Sequence, residues 1–229
     1  MQKAKIVETN LKFVRGLEER DETDLIVIHH TGDTDIDASA AQIHGWHLAN
    51  GWAGIGYHFV IRKDGTIERG RPQEMIGAHA EGSNYNSIGI HLCGAFNSAK
   101  PTNAQIEACA LLIANLCDEY DLPIDRDHIV GHREVDDETS CPGDNLQALL
   151  RDGTITGKAQ YYFDGKQETA TGEGKNRYDS LADIPAWGKP TIQKLTEKGL
   201  LGGNGEKLDL SLDMIRVFVV NDRAGLYPC

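Results

Sequence analysis

A chain of 229 residues with 40% hydrophobic and 25% charged side chains has room for one sizeable domain and a small second one, within the range of soluble globular proteins. Its net charge is −12, and residues 146–229 hold 11 basic and 11 acidic side chains, so the excess acid lies in residues 1–145 and argues against nucleic acid as a partner. No apolar run approaches the ~18 residues of a membrane span, and MQKAKIVETNLKFVRG lacks the apolar core of a signal peptide, so a cytoplasmic product without a membrane partner is expected.

TDLIVIHHTGD opens with an apolar run, 25–28, that predicts a buried strand. DIDASAAQIHGWHLANG follows with Ile43, Trp46 and His47 at helical spacing and Gly51 as a stop. In IGYHFVIRKDGTIERG, two alternating runs flank Asp64-Gly65 and predict a hairpin with Tyr57 on its first strand. NSIGIHLCG predicts another short buried strand. TNAQIEACALLIANLCDEYDL predicts an amphipathic helix capped by Thr102, with Ile106, Cys109, Ala110, Ile113 and Leu116-Cys117 on one face. HIVG predicts a last short strand. Together these predict an α/β domain over residues 1–150, with a mixed central β-sheet flanked by helices. GTITGKAQYYFDGKQETATGEGKNR, rich in Gly, Thr, Lys and Glu, reads as a linker over 151–177, with a short hairpin in QYYFDGKQ. Residues 178–229 read as a small helical C-terminal unit with a Gly-rich turn.

The five cysteines, Cys93, Cys109, Cys117, Cys141 and Cys229, form no CxxC pair, which removes a zinc finger or a dithiol redox motif. Cys93, Cys109 and Cys117 sit in apolar or helical contexts and are expected in the core. Cys141 differs. It lies nine positions after His132 in GHREVDDETSCPG, a turn-rich stretch. Imidazole and thiolate are zinc ligands, and a catalytic zinc site needs three protein ligands with one position left for water. The best third candidate is His29, at the end of the first buried strand; strand alternation directs only one of His29 and His30 toward a given site. No HExxH helix is present, which excludes a thermolysin-like layout. Residue types and spacing alone leave a salt-bridged loop and structural histidines as open alternatives.

VIHHT, GWAGIGYHFVIRKDGTIERGRP, GAHAEGSNYNSIGIHLCG and GHREVDDETSCPG occur in this order. Across residues 5–146 the chain thereby resembles the zinc-dependent N-acetylmuramoyl-L-alanine amidases, whose fold is shared by an amidase-type phage lysozyme and the animal peptidoglycan recognition proteins. The resemblance implies a zinc cofactor held by His29, His132 and Cys141, with Tyr57 and Thr139 as catalytic residues and His79 and Asn86 lining the substrate groove. The implied partner is peptidoglycan and the implied reaction is hydrolysis of its N-acetylmuramoyl-L-alanine amide. A phage or prophage endolysin, acting on the cell wall after release, is the reading that fits best. A non-catalytic recognition module and a muropeptide-recycling amidase are the alternatives; intact Cys141 and Tyr57 favour an enzyme. The His132-to-Cys141 interval is one residue longer than is usual in the family, and the extra residue, within Asp136–Glu138, leaves Glu138 or Ser140 as alternatives to Thr139. His30, His44, His47, His58, His91 and His128 are expected to be structural or exposed, with Trp46 in the core and Trp52 in the groove wall. The C-terminal unit resembles the short helical C-terminal units of phage lysins and related bacterial amidases, which implies cell-wall binding or a homodimer, with a packing extension that stabilises the catalytic domain as the alternative.

Overall fold

The computed structural model describes residues 2–170, 178–185, 187–202, 207–223 and 226–227. Among these, six strands form one sheet: β1 (Ile6–Val7), β2 (Leu25–His30), β3 (Phe59–Ile61), β4 (Ile67–Arg69), β5 (Ser87–Leu92) and β6 (Ile129–Gly131). Their spatial order is β1-β4-β3-β5-β2-β6. β2 runs parallel to both β5 and β6, and β3 parallel to β5, while β3 and β4 form the antiparallel hairpin. The expected mixed sheet is therefore present. Gly65 takes a left-handed φ of 87° in the hairpin turn, and Asp64 Oδ1 accepts from Thr66 N at 2.8 Å, as an Asp-Gly turn requires. Tyr57 lies just before β3 rather than on it. β1, two residues long and parallel to β4, is too short to leave a periodic signal in sequence.

Strand alternation divides the sheet's chemistry. Ile26 and Ile28 of β2, Phe59 and Ile61 of β3, and Ile88, Ile90 and Leu92 of β5 pack with helix α2 (Asn103–Tyr120) in one core. α2 contributes the predicted face, Ile106, Cys109, Ala110, Ile113, Leu116 and Cys117, all buried. Thr102 caps it in a full capping box with Gln105. Each aliphatic side chain so buried contributes about 1.5–3 kcal/mol. On the opposite sheet face, helix α1 (Ala40–Ala49) packs Ile43 with Ile55, Val60 and Cys93. That second face also carries His29, Gly89 and His91, the alternate residues of β2 and β5.

Two further sequence expectations differ from the structure. Residues 151–177 read as linker, yet helix α3 (Asp144–Arg151) is followed directly by α4 (Thr154–Ala170), and QYYFDGKQ is helical, not a hairpin. Ile155 and Ala159 are fully buried in the α2 core, with Tyr162 and Phe163 packed beside them. Tyr162 donates to Glu107 Oε2 at 2.8 Å, and Lys158 pairs with the same carboxylate. This packing outweighs the cost of Gly157 and Gly165, about 1 kcal/mol each in a helix interior. The remaining part of that stretch, 171–177, lies outside the described residues. Trp46, expected in the core, is 43% exposed, because α1 turns Ala40, Ile43 and His44 inward instead.

The chain divides into two compact units, Met1–Gln167 and Glu168–Cys229. In the second, α5 (Lys189–Glu197) and α6 (Leu212–Arg223) enclose Tyr178, Ile184, Ile192, Leu210, Ile215 and Val219. Asp222 accepts from Lys194 Nζ at 2.6 Å and Thr191 Oγ1 at 2.9 Å, joining the two helices. No helix among the described residues is long and apolar enough to cross a membrane.

Candidate metal centre and active site

The register of the sheet assembles the site. Ile28 of β2 pairs with Gly131 of β6, so the residues that follow, His29 and His132, emerge side by side where both parallel strands end. Their ring centroids are 4.5 Å apart. His132 opens a single 3-10 turn, His132–Glu134, after which the chain loops back to Cys141. Arg133 closes that loop. Its guanidinium donates to the Ser140 carbonyl and to Asp144 Oδ1 at 2.7 Å, and its backbone N–H donates to the Cys141 carbonyl at 2.8 Å. Gly143, with φ 86°, turns the chain into α3. Cys141 Sγ then stands 3.7 Å from His29 Nδ1 and accepts from the His30 backbone N–H at 3.4 Å.

One ligand atom from each of His29, His132 and Cys141 lies within 4.8 Å of the other two. Two imidazole nitrogens and a sulfur at this spacing match the donor set of a three-ligand zinc site, with a fourth position open. The protonation tendencies fit. Burial, then the neighbouring histidines, hold His29 well below the usual imidazole range, and burial lowers His132 against the opposing Asp136 carboxylate. Both rings are thus neutral, with a lone pair to offer. Burial pushes the Cys141 thiol up to about 12, with the His30 N–H and Arg133 opposing. A bound cation favours the thiolate of such a half-buried thiol, so metal binding and proton release are coupled there. His132 Nε2 is buried without a hydrogen-bond partner, with Asp136 Oδ2 3.5 Å away.

Tyr57 sits against the cluster in a wall of histidines, its ring 5.0 Å from His29, 4.7 Å from His91 and 5.6 Å from His47. Burial, and then Cys141, raise its hydroxyl above the ordinary phenol range, so it is a neutral donor. Thr139 Oγ1 accepts from Cys141 N at 3.2 Å, which places the hydroxyl at the ligand loop. Ser140 is exposed and accepts from Asn97 Nδ2 at 3.3 Å, and Glu138 is exposed. His79 is buried behind the cluster, with its Nδ1 3.0 Å from His29 Nε2. Asn86 lies at the other end of β5, donating to Asp24 Oδ2 at 3.1 Å. That is five residues before His91, or about 16 Å along a strand.

His30 points to the other sheet face, where its Nδ1 accepts from Phe96 N at 3.1 Å, as alternation predicts. The structure therefore brings together His29, His132, Cys141, Tyr57, Thr139 and His79, and leaves Asn86 apart. His47, His91 and Asp136 line the site without having been singled out. The signal for His91 was available: Ser87, Gly89 and His91 alternate with Ile88, Ile90 and Leu92, so one face of β5 is polar in an otherwise buried strand. Asp136 carried no such signal, because its position follows from the path of an irregular loop.

A mixed sheet carrying a His-His-Cys cluster and a half-buried tyrosine where its parallel strands end defines a candidate hydrolase site. Residues 19–144 match the N-acetylmuramoyl-L-alanine amidase family, and the chain belongs to it. It is similar to the endolysin of Escherichia phage T7, 34% identical over 135 residues that cover 56% of this chain and 86% of the phage protein. Peptidoglycan-recognition protein SC2 of Drosophila melanogaster is 37% identical over 132 residues, covering 55% and 71%. Among solved structures, the endolysin amidase LysCS of Clostridium intestinale superposes with a TM-score of 0.61 at 36% identity, over 69% of this chain and 97% of that one.

Proposed function

We propose that this amidase is zinc-dependent and acts as an endolysin, hydrolysing the amide between the lactyl group of N-acetylmuramic acid and the L-alanine of the peptidoglycan stem. The observation that carries the reading is the convergence of His29, His132 and Cys141 beside Tyr57. Zinc held by these residues supplies Lewis acidity, lowering the pKa of water toward ~7 and polarising a carbonyl oxygen. Two neutral imidazoles and one thiolate leave about one positive charge on such a site, which preserves that acidity.

The chain's own groups handle the rest. An amide is hydrolysed when water adds to the carbonyl carbon, the C–N bond breaks and a proton passes to the departing L-alanine amine. Charge develops on the carbonyl oxygen as the tetrahedral centre forms, and a neutral phenol fixed beside the ligands is suited to donate to it. Tyr57 fills that role. Thr139 retains its hydroxyl proton while its oxygen accepts from Cys141 N, so it serves as a second donor at the ligand loop. Arg133 is a positioning residue that fixes the loop delivering the thiolate. His79, beside His29, and Asn86, just before β5, are assigned no role at the scissile bond.

The alternative reading, recognition without catalysis, gains support from the similarity to peptidoglycan-recognition protein SC2. The intact ligand set and Tyr57 favour catalysis. The chain is proposed to be made in the cytoplasm and to act on the wall after release, with the C-terminal unit attaching to the wall; a homodimer through that unit is not supported. Metal analysis tests the proposal. The purified protein should carry one zinc per chain, lose it to a chelator together with amidase activity, and recover both on zinc addition. Full activity of the metal-free protein would refute the zinc dependence.

A further inference from the structure

His79 makes a contact that neither its sequence context nor the proposed chemistry requires. Its Nδ1 lies 3.0 Å from His29 Nε2, both rings are buried, and their planes meet nearly edge-on at 80°. The slot around His79 is built by the absence of side chains. A Cβ on Gly77 would come within 2.4 Å of the His79 ring, and one on Gly89 within 2.6 Å. The His79 backbone N–H donates to Asn84 Oδ1 at 2.7 Å, fixing the turn that carries it. The ring is therefore confined to one place, and its Nδ1 meets the one nitrogen of His29 that faces away from Cys141.

Two neutral imidazoles in contact share a single proton, and two arrangements are possible. Either His29 Nε2–H donates to His79 Nδ1, or His79 Nδ1–H donates to His29 Nε2. The opposite edge of the His29 ring decides between them. His29 Nδ1 faces the site shared with Cys141, 3.7 Å from its Sγ. A lone pair offered there leaves the His29 proton on Nε2, where His79 Nδ1, 3.0 Å away, accepts it.

We infer that His79 is a positioning residue that fixes His29 in the Nε2-protonated tautomer, presenting the Nδ1 lone pair to the site shared with His132 and Cys141. The inference rests on the proposed metal reading of those three residues. An outer-shell partner of this kind orients the ligand ring and raises its basicity, and its loss typically costs 10–100-fold in metal affinity.

The test has two arms. Long-range 1H–15N correlation spectra of the metal-free protein, labelled at histidine, report which His29 nitrogen bears the proton, with the His29 signals assigned by their loss in His29→Gln. Zinc affinity is measured by competition with a chromophoric chelator for the native chain, His79→Ala and His79→Gln. The expected results are an Nε2-protonated His29, a 10–100-fold loss of affinity in His79→Ala, and most of that loss restored in His79→Gln, whose amide oxygen accepts from Nε2–H. An Nδ1-protonated His29, or a His79→Ala variant that binds zinc like the native chain, would overturn the inference while leaving the metal reading intact. Failure of the native chain to bind zinc would overturn the metal reading itself. The spectra need no variant at position 79, so misfolding of His79→Ala leaves the tautomer arm decisive.

Discussion

Tyr57 and Cys141 illustrate how differently two site residues announce themselves. Cys141 stood out chemically, as a cysteine without a cysteine partner in a turn-rich stretch after a histidine, but its assignment as a ligand came with the family motifs. Tyr57 was legible only through the family motif, since a tyrosine near a strand is ordinarily packing, and its wall of His29, His47 and His91 comes from three separate segments. Removing its hydroxyl should lower turnover on peptidoglycan by about 10²–10³-fold, the usual cost of one donor to a developing oxyanion. Tyr57→Phe should still hold one zinc per chain, because the hydroxyl is not a ligand. Unchanged turnover would remove Tyr57 from the mechanism. A second residue-scale prediction concerns His58, which is fully buried, donates from Nε2 to the Met75 carbonyl at 2.8 Å and accepts from Gly89 N at 2.9 Å. Burial lowers its pKa to about 3. The unfolded chain takes up this proton near pH 6.5 and the folded chain does not. The contribution of His58 to stability is therefore complete above about pH 6.5 and is lost as the pH falls toward 3, by roughly 1.4 kcal/mol per pH unit. Urea denaturation of native protein and His58→Gln at pH 7.5 and pH 5 should show a smaller pH effect in the variant.

At the scale of elements, β2, β5 and α2 were clear because their patterns are strong: an apolar run, an alternation and a capped amphipathic face. α4 was obscured by Gly157 and Gly165, and only the packing of Ile155 and Ala159 onto α2 makes it a helix. The loop from His132 to Cys141 has no periodicity, so the positions of Arg133 and Asp136 followed from tertiary contacts alone. β6 meets this loop closely. A Cβ on Gly131 would lie 2.1 Å from Gln147 Oε1 and 2.8 Å from Pro142 Cδ, next to Cys141. Gly131→Ala should therefore cost about 1–3 kcal/mol in denaturant unfolding and weaken zinc binding as the ligand loop shifts. Loss of the α2 cap is the contrasting case. Thr102→Ala removes the capping bond to Gln105 N and a 2.7 Å bond to the Lys63 carbonyl, far from the ligands in sequence. It should cost about 1–2 kcal/mol of stability and leave zinc affinity unchanged.

On the scale of the whole molecule, every candidate site residue belongs to the first compact unit, Met1–Gln167. The acidic excess also lies in residues 1–145, whereas residues 146–229 are balanced. A wall-degrading domain of one charge sign gains from a neutral companion that makes specific contacts, since tethering raises its effective concentration at the polymer. A chain ending at Ala170 should therefore bind zinc and cleave soluble muropeptides like the full chain, yet sediment less with purified cell walls. Equal sedimentation would leave the second unit a packing extension. The central claim is the bond cleaved, and it is read most directly by digesting purified peptidoglycan with the zinc-loaded protein and identifying the new chain ends by mass spectrometry, with Cys141→Ala in parallel. The account predicts new free L-alanine amino termini with the native protein and none with the variant. Wall binding by the native protein without new L-alanine termini would contradict it and make the chain a recognition protein.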